Sequence, residues 1–560
     1  MTPVPFLRIP PFPRHRAAPL AVPVEGLSGE GGNGAGRDDG AAIAEALRSH
    51  RVGGTFWGSA VALPRGHDVL VCASPHRDRG KALAAAARSP EILARAVTLG
   101  RIRGLEDLAS IPVQADPWHA CAGASLVLAD AESEVALVAA LLGVPLRVIG
   151  AGRFAALNDA SALAAVIERD LTANWRYRDP FRGGVLAPTE AIALLGHWRA
   201  LVEANRPVVQ VHGVARWKQV TADALLWNGT GPVPYAGRRA ETPDAGAQVL
   251  AWVARSDAPS LARMEARGVR VGEIEDGMIR STGLGANCVP PLSIVVDAAG
   301  PHFDPAQPSG LETILQTADI DAGLVRRAAA LRETLVRQGI SKYGRDGAHA
   351  AAPQQAGGAP ADARRRVLVT GQVEDDRSVL RGGAGLANLE LLRRARALEP
   401  DAWIVFKPHP DVEAGHRKGH IPDAQALELA DAVDRTASIA ALLDRVDAVH
   451  VLTSLAGFEA LMRGREVVTH GVPFYAGWGL TRDIGPVPAR RTRRRSLDEL
   501  VAATLILYPR YLDPVTRLPC EAELLVERMA SGEARVSTPL IRLREAQGKL
   551  NRLLGRRSRP

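Results

Sequence analysis

Aromatic residues are scarce in this chain, at 4% of 560 residues, and cysteines number four. Cys72, Cys121, Cys288 and Cys520 stand far apart with no C-x-x-C pair. That spacing argues against a zinc site and a disulfide framework and fits a reducing compartment. No stretch reaches the roughly 18 uncharged apolar residues of a membrane-spanning helix. The opening MTPVPFLRIPPFPRHRAAPLAVPVEG is broken by Pro and Arg and lacks the apolar core of a secretory signal. P-loop, nucleophile-elbow and H-E-x-x-H patterns are missing, and the glycines of STGLGANC do not follow the dinucleotide fingerprint.

The remainder is ordinary globular composition, 46% hydrophobic and 23% charged, with length for about three or four domains. The formal net charge is +8, and much of the excess lies in Arg490, Arg491, Arg493, Arg494 and Arg495, then in Arg556, Arg557 and Arg559. Such clusters attract phosphates of nucleic acid, anionic lipid or nucleotide sugars, or else form a solvated face. No nucleic-acid-binding module accompanies them, so nucleic acid is not expected as a partner.

Residues 1–40, rich in Pro and then Gly, read as a flexible segment. From 41 to 185 strand-like runs (HDVLVCAS, ASLVLAD, PLRVIG) alternate with Ala/Leu-rich helical runs, the rhythm of a parallel sheet covered by helices. A second block occupies 186–345, a low-complexity Ala/Gly/Pro linker 346–365, and a third, regularly alternating block 366–525; 526–560 is a basic helix or tail. ESEVALVAALLGVPLRVIG at 132–150 echoes TSLAGFEALMRGREVVTHG at 453–471, matching Ser133 to Ser454, Gly143 to Gly464 and Val138 to Glu459. Residues 41–185 therefore read either as a degenerate copy of the third block or as one more βαβ unit.

Chemistry-bearing residues gather at strand ends. In EIEDGMIRSTGLGA, Glu275 and Asp276 precede Gly277, with Arg280 and Ser281 beyond. A carboxylate there suits a nucleophile or base, or else a turn cap. KPHPDV holds Lys407 and His409 between prolines that stiffen the turn, well placed for phosphate oxygens. Thr453 and Ser454 open a helix, as an anion site, a plain N-cap or both, with Glu459 one and a half turns in. Tyr475 and Trp478 in VPFYAGWGLTRD either pack a loop or line a sugar or acceptor site. GQVEDDRSV adds Gln372, Glu374 and Asp376 without a divalent-metal arrangement.

Taken in order, EDGMIRSTGLGA, PLSIVVDAAGPHFDPAQPSGLE, SKYG, GQVEDDRSV, KPHPDV and TSLAGFEALMRG…VPFYAGWGLT resemble the capsular polysaccharide biosynthesis/export family of KpsC/LipB type, over roughly 188–525. The resemblance implies an α/β fold, a GT-B-like pair of Rossmann-type doubly wound domains with an additional N-terminal α/β region. It implies a retaining β-Kdo glycosyltransferase moving Kdo from CMP-Kdo to a lipid-linked acceptor. Asp276 then looks like the catalytic carboxylate, with Glu275 beside it. Lys407, His409, Thr453 and Ser454 look like phosphate contacts of CMP, Glu459 a ribose contact, and Arg280, by its charge, a partner of the Kdo carboxylate. Glu275, Glu374 and Asp376 are the candidates for a general base. No cofactor and no metal is implied, CMP-Kdo being a substrate. Family members often carry two modules in tandem; this chain has one set of motifs. The alternatives are a transferase for another CMP sugar and a non-catalytic capsule assembly or export component. A cytoplasmic protein is expected, docked through GKLNRLLGRRSRP on the anionic inner face of the inner membrane beside other capsule proteins.

Overall fold

The computed structural model describes residues 4–24, 39–74, 80–237, 240–281, 288–342, 344–345, 364–415 and 417–534. The STGLGANC glycines, most of the linker and the basic GKLNRLLGRRSRP tail lie outside them. The chain forms two compact units. One is Met1–Val209 with Ala222–Pro234 and Val515–Pro519; the other is Gln210–Thr221 with Tyr235–Pro514 and Cys520–Pro560.

The first unit holds a five-stranded parallel sheet in the order Ala109–Ile111, Ala96–Leu99, Val69–Cys72, Leu126–Asp130, Leu146–Ile149. Val69, Leu70, Val71 and Cys72 are all buried, as expected of a central strand covered on both faces. Residues 4–24 are not a loose arm. Phe6, Leu7, Phe12 and Leu20 sit in the core, and Arg8 reaches both carboxylate oxygens of Glu134 at 2.7 and 2.9 Å. The prolines that suggested flexibility instead fix a chain whose apolar residues find a pocket. Helix Pro188–Asn205 contributes Ala191, Ile192, Leu195 and Trp198 to the same core, so the unit runs past the boundary expected at 185.

The second unit holds most of two six-stranded sheets, together with the short pairing of Ile340–Ser341 with Gly344–Arg345. The first is mixed, in the order Pro519–Cys520, Pro509–Leu512, Ser293–Asp297, Arg270–Asp276, Gln248–Ala251, Val208–His212. Arg270–Asp276 runs parallel to Gln248–Ala251 but antiparallel to Ser293–Asp297, which in turn is antiparallel to Pro509–Leu512. This half is therefore not doubly wound parallel throughout, as the strand–helix rhythm suggested.

The other sheet is wholly parallel, in the order Ala432–Val433, Trp403–Lys407, Arg366–Thr370, Ala448–Val451, Glu466–Thr469, Arg482–Asp483. By position in sequence that order is 3-2-1-4-5-6, the Rossmann order, with its switch point between Arg366–Thr370 and Ala448–Val451. The sheet of the first unit follows 3-2-1-4-5. Helix Glu134–Leu142 and helix Leu455–Met462 thus both follow the fourth strand, with Ser133 and Ser454 at their N-cap positions. Gly143 and Gly464 both take φ 69° where the helices end. The internal echo in the sequence is a topological equivalence.

Candidate active site

Asp276 is the last residue of strand Arg270–Asp276. Gly277 follows because the chain there presses on Ser293, whose Oγ would lie 2.2 Å from any added Cβ. The Asp276 carboxylate is held from both sides. Lys218 Nζ donates to Oδ1 at 2.8 Å and Arg280 Nε to Oδ2 at 2.5 Å. Lys218 is itself buried, its ammonium 3.5 Å from the centre of the Trp252 ring. Burial alone pushes the Asp276 carboxyl up, but the Lys218 and Arg280 charges outweigh it and leave the group below the usual carboxylate range. Asp276 is an anion at neutral pH with 23% of its side chain exposed.

Arg280 does not have the role expected of it. It is 1% exposed, and its other nitrogens donate to Ser281 Oγ at 2.6 Å and Val289 O at 3.0 Å. Its charge is spent inside the protein on Asp276, not held open for a substrate carboxylate.

Glu275 and Glu273 meet Arg377. The guanidinium makes two bonds of 2.9 Å to Glu273 and one of 3.1 Å to Glu275 Oε1. Burial pushes the Glu275 carboxyl up to about 7, against the pull of Arg377 and with help from Asp276 and Glu273. Arg377 begins helix Arg377–Gly382, whose cap is Asp376, accepting from Ser378 N at 3.0 Å. Asp376 is therefore a helix cap at the surface rather than an acid or base.

At the switch point of the parallel sheet, Gln372 and Thr453 are bound to each other. Gln372 Nε2 donates to Thr453 Oγ1 at 3.0 Å, and Thr453 N donates to Gln372 Oε1 at 2.8 Å. Asn388 braces the pair, accepting from Gln372 N and donating to Gln372 O and Gly419 O. Glu374 Oε1 accepts from Asn388 N at 2.8 Å, so it too is a brace. Ser454 caps helix Leu455–Met462 through Ala456 N, and Glu459 is buried within that helix. Lys407 ends its strand and donates to Ala437 O at 2.6 Å. His409 caps the next turn, Nδ1 accepting from Asp411 N at 3.1 Å. That contact assigns the ring proton to Nε2, and burial lowers the imidazole pKa. His409 thus offers a neutral N–H donor.

Two further expectations change. Tyr475 and Trp478 are wholly buried. The Tyr475 hydroxyl donates to Ser454 O and its ring stacks on Phe458 of helix Leu455–Met462, while Trp478 Nε1 donates to Phe474 O at 2.8 Å and its ring meets Arg491, so both pack the loop and neither lines an acceptor site. The arginine run is also structural. Arg490 and Arg491 pair with Glu312, and Arg495 donates to Leu315 O and Ala318 O, each at 2.7 Å. Lys218, Glu273, Arg377 and Asn388 were not singled out from the sequence. Lys218 had a usable signal, since it follows the strand-like run PVVQVHG.

The arrangement defines an α/β protein with a Rossmann-ordered half and, in the same unit, a carboxylate held by two cations at a strand end. A profile described as "Capsule polysaccharide biosynthesis protein" matches residues 326–511. The capsule polysaccharide modification protein LipA of Neisseria meningitidis serogroup A is 44% identical over 279 residues, 50% of this chain and 38% of that protein. The lipopolysaccharide-processing protein LpsZ of Rhizobium meliloti is 45% identical over 243 residues, 42% of this chain and 53% of that one. This chain thus spans about two-fifths to one-half of these relatives' lengths. Among solved structures, a chain of Thermosulfurimonas dismutans KpsC, beta Kdo 2,7 transferase, is 32% identical and matches 58% of this chain and 99% of its own, with a TM-score of 0.46. The KpsC beta Kdo 2,4 transferase of the same organism is 30% identical, with 57% and 98% matched and a TM-score of 0.47. On these sequence identities the chain belongs to the capsule polysaccharide biosynthesis family of KpsC/LipB type.

Proposed function

We propose that this chain is a glycosyltransferase that moves Kdo from CMP-Kdo to a lipid-linked acceptor, with retention of configuration through a covalent sugar adduct on Asp276. The observation that carries the reading is the Asp276 carboxylate, buried yet ionised between Lys218 and Arg280 at a strand end. Such a carboxylate is a ready nucleophile for an anomeric carbon bearing a good leaving group. The matched KpsC chains are beta Kdo transferases, which supports Kdo as the sugar.

The nucleotide belongs at the Rossmann switch point, where doubly wound sheets take ligands. There the Ser454-capped N-terminus of helix Leu455–Met462 presents backbone N–H groups to a phosphate. Lys407 ends strand Trp403–Lys407, on the other side of Arg366–Thr370 from that helix's strand, and His409 Nε2–H follows it; in this reading they add a charge and a donor. Departure of CMP leaves the sugar carbon bonded to a carboxylate oxygen of Asp276. The acceptor hydroxyl then displaces Asp276 from the face CMP has left, and two inversions give net retention. Docking on an anionic membrane, where a lipid-linked acceptor resides, belongs to the same proposal. A different CMP sugar would use the same phosphate contacts and is the second reading.

The test is intact-mass analysis of the full chain with CMP-Kdo. Wild type should gain the mass of one Kdo, and Asp276→Asn should gain none while still binding CMP. Lys218→Met should slow adduct formation about 10–150-fold, the equivalent of one charge-assisted hydrogen bond of about 1.5–3 kcal/mol. Full transfer by Asp276→Asn would refute the nucleophile.

A further inference from the structure

We infer that the switch point of the first unit's sheet is a seat for an arginine side chain, filled by Arg8 of this same chain, and that it takes no nucleotide phosphate. The inference stands apart from the transferase reading, which concerns the second unit.

A doubly wound sheet takes phosphate at its switch point, between the loop after the first strand and the N-terminus of the helix after the fourth. In the first unit these are the loop that follows Val69–Cys72 and helix Glu134–Leu142. The topological equivalence with helix Leu455–Met462 fixes which residues correspond. Asp130 stands for Val451, Glu132 for Thr453 and Glu134 for Leu455. Three carboxylates have replaced two apolar residues and a hydroxyl around the place of the phosphate. Their charges repel an anion there.

The donors that would meet a phosphate are also engaged. Ser74 N, in the loop after Val69–Cys72, donates to Asp130 Oδ2, and Glu132 N donates to Asp130 Oδ1 at 2.9 Å. Asp130 is 2% exposed, an internal anion where an external one would bind. Ser74 Oγ is buried beside it with no hydrogen-bond partner among the described residues.

A cation sits at the helix end instead. The Arg8 guanidinium meets Glu134, the first residue of the helix, through two parallel bonds, the planar match that a lysine cannot make. It stands 5.6 Å from the centre of the Trp57 ring. The chain on the N-terminal side of Arg8 is fastened so as to deliver it. Gly54 N donates to Phe6 O at 2.9 Å, and the Phe6 ring fills the space a Cβ on Gly53 would need. Arg153 Nη1 donates to Val4 O at 3.0 Å. Arg153 is itself tied to the acidic cluster, its backbone N donating to Glu132 Oε1 at 3.1 Å and its Nη2 to Asp170 at 2.6 Å. Charge and shape thus both select a guanidinium on an extended chain.

Hydrogen exchange of the full chain tests the seat. Arg8→Ala should speed exchange at Phe6, Leu7 and Gly54 about 10–100-fold. Millimolar ethylguanidinium should restore the protection, and ethylammonium at the same ionic strength should not. The charge swap Arg8→Glu with Glu134→Arg should regain most of what either single variant loses. Glu134→Gln, which keeps the side chain's volume, should show the same local loss and serves if Arg8→Ala opens the whole unit. CMP and inorganic phosphate should leave exchange in helix Glu134–Leu142 unchanged, with Arg8 present or removed. Wild-type exchange in both Arg8→Ala and Glu134→Gln overturns the inference. So does rescue by ethylammonium equal to that by ethylguanidinium, or a swap no better protected than the single variants. Protection of helix Glu134–Leu142 by CMP or phosphate overturns it as well. Failure of CMP to bind anywhere on the chain tells against the transferase reading and leaves the arginine seat standing.

Discussion

Lowering the pH from 7 to 5 should loosen the parallel sheet of the second unit, and two buried histidines determine by how much. His450, in strand Ala448–Val451, and His470, just beyond strand Glu466–Thr469, are 0% and 1% exposed. His450 Nδ1 and His470 Nε2 lie 3.0 Å apart, so one donates to the other. The outer nitrogens, His450 Nε2 and His470 Nδ1, are buried without a hydrogen-bond partner. Burial above all, with Arg365 and Arg482 beside His450 and Arg394 and Arg482 beside His470, holds both rings neutral far below the usual histidine pKa. Both folded pKa values are depressed, so the stability is complete above about pH 6.5 and drains away as the unfolded chain takes up protons that the fold refuses. From pH 7 to 5 the loss is about 1.9 kcal/mol per histidine, or about 4 kcal/mol for the pair. That is a large share of a typical domain's 5–15 kcal/mol. Hydrogen exchange of the amides in Arg366–Thr370 and Ala448–Val451, at pH 7, 6 and 5 and corrected for intrinsic rates, measures the opening energy locally. The double variant His450→Gln, His470→Gln should lose most of that pH dependence, whatever its stability at pH 7. A double variant as acid-sensitive as wild type refutes the reasoning.

Two further outcomes are expected. An added Cβ at Gly457 would meet the Tyr475 hydroxyl at 2.2 Å, so Gly457→Ala should cost about 1–3 kcal/mol in chemical unfolding, and Tyr475→Phe in that background should recover part of it. Glu312→Gln strips the partner from Arg490 and from the buried Arg491 and should cost about 3–5 kcal/mol, read as a lower melting temperature, whereas the exposed Arg494→Ala should stay within about 0.5 kcal/mol.

Motifs at strand ends were legible in the sequence because chemistry there needs particular side chains at fixed offsets. Asp276, Gln372 and Thr453 fall where those motifs put them, and so does the Rossmann order of the third block. What a side chain touches was not legible. Arg280 reads as a substrate contact until its nitrogens are seen to be occupied. Tyr475 and Trp478, aromatics between glycines, look the same in sequence whether they face a ligand or a helix. The prolines of the N-terminal segment carry no sign of whether Phe6 and Phe12 find a core. Lys218 lies in the short helical turn Arg216–Lys218 after strand Val208–His212, which is two strands from Arg270–Asp276 in the sheet, and nothing local to either residue announces the pair.

Strand Pro509–Leu512 pairs with Ser293–Asp297, and that strand pairs Ile294 with Asp276 itself. The half with the wholly parallel sheet is therefore a cassette spliced into the sheet that carries Asp276, entered near 345 and left before 509. A chimera that joins this half to another relative's partner at one junction would strip a bracing strand from the sheet that carries Asp276. Exchange of the cassette between family members requires two crossovers, one on each side of it. A chain cut short at Tyr508 should lose the adduct proposed on Asp276 while retaining the whole parallel sheet.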